Sequence, residues 1–194
     1  MLGVGMASLW GAGYFWVGWH MPAGRLHEVG TPFDAHIPFV AQAIWPYLCV
    51  FPLALSPLVF ARDATLMRRI ALAYAATIVV SLLCFALYPV SAGGLRPSVS
   101  APSVSAAAVR LLYALDPPYN LCPSLHVSLA VLAAISASKA RKRHAGLLFA
   151  AAGAIAVSTC LIKQHFLVDV LAGAALAVLI AGVTLGTYRD HAVK

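Results

Sequence analysis

The chain has 194 residues, of which 62% are hydrophobic and only 10% charged, and its mean hydropathy is +0.88. A soluble domain is nearer half apolar and a quarter charged, so this composition excludes an ordinary soluble enzyme and points to an integral membrane protein. The net charge of +7 does not call for a nucleic-acid partner, because most basic residues fall in short turns between apolar runs, where the positive-inside rule accounts for them.

At about 20 residues per helical span, the length accommodates roughly six spans with short connections. The expected architecture is all-α, a single membrane domain over 1–194 with six transmembrane helices in one bundle. The first span is 2–19, apolar and aromatic, without the basic flank of a signal peptide. Residues 20–40 mix prolines, three histidines and two acids. Without metal-ligand spacing, they read as an interfacial loop or short helix lying on the membrane. The second span is 41–61, with Trp45 and Tyr47 as interface anchors. A basic turn follows, and 70–88 is the third span, stopped at Pro89.

Residues 91–122 form the one long non-spanning loop. It holds a tandem five-residue repeat starting at Pro97 and Pro102, a short helix at 106–115, and a turn cluster from Asp116 to Asn120 that ends it. The fourth span is 123–138, the fifth 145–161 and the sixth 165–187, with a polar tail after it. The cysteines show no C-x-x-C or zinc spacing. Cys122 and Cys160 flank the same end of the bundle, and a disulfide between them is left open.

Basic residues set the orientation. The turns after spans two and four and the tail hold Arg62, Arg68, Arg69, Lys139, Arg141, Lys142, Arg143, Arg189 and Lys194, nine of the 13 Lys and Arg. Arg25, Arg96, Arg110 and Lys163 lie on the other side. This places both termini in the cytoplasm and turns the long loop and the starts of spans four and six outward.

That topology gathers Arg96, Ser124, His126, Lys163, His165 and Asp169 at one membrane face. Ionisable groups are costly in hydrocarbon, so their default reading is functional. His126 and His165 fall at the first turns of their spans, where free backbone N–H groups favour an anion. Arg96 and Lys163 add charge and Ser124 a hydroxyl. Asp169, four residues after His165, lies one turn along the same helix face, placed to orient that imidazole. His165 is then a nucleophile toward phosphorus, and His126 an acid for the leaving alkoxide and a base for water. Ala130 and Ala134 under His126, and Gly173, Ala177 and Ala181 under Asp169, let spans four and six pack face to face. The rival is a metal held by His126, His165 and Asp169, which chelator sensitivity separates from a metal-free site.

These residues resemble the type 2 phosphatidic acid phosphatase superfamily, which shares its site with vanadium haloperoxidases. Its motifs are Lys-x6-Arg-Pro, Pro-Ser-x-His and Ser-Arg-x5-His-x3-Asp. The second is intact as Pro123-Ser124-Leu125-His126. The third reads Ser158-Thr159-x5-His165-x3-Asp169, and the first survives as Arg96-Pro97. The resemblance implies a six-span enzyme in which His165 forms a phosphohistidine, Asp169 supports it, His126 is the acid, and Arg96 and Ser124 bind phosphate. Pro89 and Thr159 stand where the motifs carry cations, and Lys163 looks like a substitute. The contexts around Tyr88-Pro89-Val90 and Lys163-Gln164-His165-Phe166 are similar to the branch related to inositol-phosphoceramide and sphingomyelin synthases.

The expected activity is therefore hydrolysis of a lipid phosphate or diphosphate at an outward-facing site, with no metal or other cofactor, in a bacterial inner (plasma) membrane. A headgroup phosphotransferase is the alternative, and a non-catalytic transporter a weaker one.

Overall fold

The computed structural model describes residues 2–20, 26–61 and 63–188. Within them the chain is helical, and no strand occurs beyond isolated backbone bridges. Arg25, Arg62, Arg189 and Lys194 of the charge tally, and the tail beyond Tyr188, lie outside the described residues. Four stretches are long and apolar enough to cross a bilayer: Ala41–Phe60, Ala64–Leu87, Lys142–Leu161 and Leu167–Leu185. The other two expected spans are the helix α1 (Leu2–Trp19) and the 16-residue apolar helix Leu125–Ala140.

Local chemistry sets most boundaries. The short α2 (Pro32–His36) lies in the expected interfacial segment. The second span is broken into a 3-10 turn at Ala41–Ala43, α3 (Ile44–Leu48) and α4 (Val50–Phe60). Pro52 has no N–H to return to the carbonyl four residues back, and the ladder changes register at Cys49. The third span, α5 (Ala64–Leu87), starts six residues before the expected 70, because the Asp63 carboxylate accepts from Leu66 N at 2.7 Å and caps it. The expected basic turn is thus mostly helix. The first copy of the five-residue repeat is irregular, whereas in the second Ser103 caps α6 (Val104–Leu115) through Ala106 N at 3.1 Å.

Helix α7 (Leu125–Ala140) is the centre of the bundle. It packs against α4, α5, α8 (Ala145–Leu161) and α9 (Leu167–Leu185), and Ala130, Leu132, Ala133, Ala134 and Ala137 have no exposed surface. The outer helices turn large apolar side chains outward, among them Leu58, Leu72, Leu87, Leu179 and Val183, as a lipid-facing belt requires.

Spans four and six do pack face to face. Gly173, Ala177 and Ala181 of α9 are buried. The approach is closest at Gly173, where a Cβ would stand 2.5 Å from the Ser124 carbonyl oxygen. The Ser128 hydroxyl lies 3.0 Å from the Gly173 carbonyl and 2.9 Å from that of Ser124, and Ser124 N donates to Asp169 O at 2.9 Å. Gly173→Ala forces backbone apart at this seam, and overpacking of this kind costs about 1–3 kcal/mol. The expected result is a lower thermal midpoint in detergent than for Ala174→Gly, which a melting curve of the two variants checks.

Candidate active site

At one end of the bundle the loops are stitched together before any site residue enters. His27 N donates to Pro89 O at 2.8 Å, Ser91 N to His27 O at 2.9 Å, and Ala92 N to Pro118 O at 2.8 Å. The Pro89 position, where the first motif carries a lysine, is thus a backbone junction.

His126 is the second residue of α7. Its Nε2 lies 2.6 Å from the Tyr47 hydroxyl oxygen, and its ring centroid is 5.7 Å from that of His165. The histidines are therefore neighbours, as expected. Ser124 is fully buried and caps α7, its hydroxyl accepting from Val127 N at 3.4 Å. That use turns it toward the helix end.

His165 is not in the first turn of a helix, as the spacing suggested. Phe166 is extended, and α9 begins only at Leu167. The reason is Asp169, whose Oδ2 accepts from Phe166 N at 2.9 Å and holds the helix start one turn above itself. His165 still faces it, with Nδ1 3.6 Å from Asp169 Oδ2. His165 is 4% exposed and Asp169 0%. This spacing is slightly long for a hydrogen bond.

The tight turn before His165 explains the changed motif positions. Thr159, in the place of the third-motif arginine, is fully buried. Its carbonyl receives Gln164 N at 2.9 Å and His165 N at 3.3 Å. Lys163 has φ 55°, a left-handed conformation uncommon for a residue with a side chain. Its ammonium donates to the carbonyls of Asp34 (3.0 Å) and Ile37. In this structure Lys163 fastens the interfacial segment to the turn before His165 and does not stand free beside the histidines.

Arg96 also has partners. Its guanidinium pairs with Asp116 (Nη2 to Oδ2, 3.2 Å), donates to Asp116 O, and lies over the Tyr113 ring at 4.9 Å. The Asp116 carboxylate further accepts from Tyr14 Oη at 2.7 Å and Gln164 Nε2 at 2.8 Å. Arg96 thereby reaches the histidine turn through Asp116 and Gln164. Tyr14, Asp34, Tyr47, Asp116 and Gln164 were not among the expected site residues. Gln164 borders His165 in sequence and could have been taken for its adjacency. The others come from distant segments, and no spacing rule marks them.

Buried polar atoms without partners are costly and rare in native structures. Arg96 Nε, Asn120 Oδ1, Gln164 Oε1, His165 Nδ1 and Asp169 Oδ1 are all buried and lack a hydrogen-bond partner among the described residues. Four of the five belong to the loops and turn at this end and Asp169 to the first turn of α9, so water or a polar ligand there would find several open partners; the hydroxyls of Ser56, Thr77, Ser81 and Ser136, within the helices, are unpartnered as well. Among the described residues no three His, Cys, Asp or Glu side chains converge to hold a metal ion. All four cysteines are free. Burial first, and then the nearby Asp169, push the Cys122 thiol up to about 12, so it stays neutral.

Asp34 fastens the turn from the other side. Its Oδ1 accepts from Leu167 N at 2.8 Å at the α9 N-terminus, and its Oδ2 from Thr31 N and Oγ1, each at 2.7 Å. Burial raises this carboxyl, but those hydrogen bonds, aided by Lys163, outweigh it and leave the group below its ordinary range. A carboxylate held low contributes stability above its unfolded value and loses it as pH falls through the folded one. Asp34→Asn should therefore flatten the loss of thermal stability below about pH 4, checked by melting curves across acid pH.

A family model described as the PAP2 superfamily matches residues 27–183. No curated protein and no solved structure matches the chain. The matched stretch is well over half of the sequence and contains both histidines, Asp169 and Arg96, so the chain belongs to the PAP2 superfamily.

Proposed function

We propose that the protein transfers the phosphoryl group of a lipid phosphate or diphosphate to water, through a phosphohistidine on His165 and without a metal. The observation that carries this reading is the pair of imidazoles, one from the first turn of α7 and the other from the turn before α9, with centroids 5.7 Å apart and the second facing a buried carboxylate.

Nδ1 of His165 faces Asp169, which leaves Nε2 to attack phosphorus. The N–P bond forms as the P–O bond to the lipid breaks, and the phosphorylated imidazole becomes cationic beside Asp169. His126 gives a proton to the departing alkoxide. It then takes one from water as that water attacks phosphorus and the N–P bond breaks. Such transfer needs mainly positioning and charge neutralisation. Arg96 is the cation assigned to the phosphate, its Nε being buried and unpartnered. Ser124 and Lys163, which the sequence offers as phosphate ligands, serve the α7 cap and the turn instead.

One observation favours a second reading, headgroup transfer from a phospholipid diester to a lipid alcohol. Spare positive charge is scarce, since Arg96 is paired with Asp116 and Lys163 is spent on carbonyls. A monoanionic diester asks less of such a site than a dianionic monoester.

In phosphate-release assays with phosphatidate and prenyl diphosphate, His165→Ala should abolish turnover and His126→Ala should slow it by about 10²- to 10⁴-fold. Vanadate should inhibit, and EDTA should have no effect. Full activity in His165→Ala ends the phosphohistidine reading. Turnover that requires diacylglycerol or ceramide, with no phosphate released alone, replaces hydrolysis by the transferase.

A further inference from the structure

Tyr47 reads from sequence as an aromatic anchor at the membrane interface, yet it is 1% exposed and its hydroxyl lies on a site histidine. The break of the second span puts it there. Helix α3 is a single short segment between a 3-10 turn and the irregularity at Cys49, and Tyr47 packs in a cluster with Ile44, Val109 and Ile162. Its ring lies 4.7 Å from that of His126, tilted by 38°, so both ring contact and hydrogen bond fix the imidazole.

We propose that Tyr47 is the positioning residue of His126, holding Nε2 so that Nδ1 is the nitrogen presented to the reacting phosphate. The proposal rests on the reading above and deepens it. An imidazole has two ring nitrogens, and a partner on one decides what the other can do. With Nε2 taken, proton traffic runs through Nδ1. The cationic ring gives its Nδ1 proton to the alkoxide and stays neutral with the proton on Nε2. Nδ1 then receives the proton of the attacking water, and the cation is restored.

The chemistry of the two partners matches the two tasks. His165 gains a lasting positive charge when phosphorylated, and its partner is a carboxylate. His126 alternates between charged and neutral while Nε2 keeps its proton, and its partner is a hydroxyl, whose oxygen accepts that N–H in both states. A phenol therefore holds Nε2 in either state and adds no charge that would trap the proton. The other chargeable groups around this pair are His165 from the turn, Arg96 and Asp116 from the long loop, and Tyr14 from α1.

Tyr47→Phe keeps the ring and removes the hydrogen bond. It should lower kcat by about 10- to 100-fold with KM changed by less than about threefold. Combined with His126→Ala it should add nothing, because the two act as a unit. Wild-type kcat in Tyr47→Phe, or effects that multiply in the double variant, overturns the proposal. Replacing Tyr47 by 3-fluorotyrosine preserves shape should the phenylalanine variant fold poorly. The limb of the pH–rate profile belonging to His126 should then move to lower pH, and an unmoved profile again overturns it.

A measurement without turnover separates this proposal from the reaction itself. In ¹⁵N-histidine spectra of the detergent-solubilised protein, the ring signals lost in His126→Ala should shift in Tyr47→Phe, while those lost in His165→Ala stay in place. Unshifted His126 signals defeat the proposal even if His165→Ala is inactive. Activity in His165→Ala with shifted signals defeats the reaction and leaves the contact standing.

Discussion

The separation of the two histidines is set by a backbone contact. Helices α7 and α9 meet where Gly173 leaves room for the Ser124 carbonyl, and Ser124 N closes onto Asp169 O at 2.9 Å. His126 is two residues beyond Ser124, and His165 four residues before Asp169. Neither ring can move far from the other while that seam holds. Within that frame the ring orientations are left to side-chain contacts, Tyr47 on His126 and Asp169 beside His165. The small-residue faces below extend the same contact through the bundle, so precision at the site and close packing of the core are one property.

The turn between α8 and α9 depends on a different kind of support. A lysine with φ 55° persists only where its surroundings over-determine it. Here the ammonium holds two carbonyls of the interfacial segment, and Asp34 in that segment holds the first amide of α9. The contacts run in both directions between the same two pieces of chain. The Lys163 cation is thus a brace between the two pieces of chain, and it is not spare charge beside the histidines.

Much of this was legible in the sequence because it follows from periodicity and rarity. Apolar runs located the long helices, alanines and glycine at four-residue spacing located the α7–α9 face, and chargeable residues at span ends located His126, His165 and Asp169. The rest needed three dimensions. Tyr47 has an ordinary explanation as an interface aromatic, and only the kinked course of the second span shows that it points inward. Lys163 reads from sequence as a free cation, since its carbonyl partners lie more than a hundred residues earlier. Asp116 looked like part of a turn, although it gathers Tyr14, Arg96 and Gln164. The spacing starts α9 two residues early, because whether a residue lies inside or just outside a first turn depends on which side chain captures the amides.

The hydrogen bond from Tyr14 to Asp116 reaches past the boundary of the shared family region, which begins at residue 27. Asn120 answers it by donating to the Tyr14 carbonyl at 2.7 Å, and Gly18 sits against Pro117. The leading helix is therefore more than a membrane anchor appended to a ready-made enzyme. A fragment trimmed to residues 27–183 would keep each motif residue and still leave Asp116 short of a donor, so the hydrogen-bonded unit is larger than the matched region.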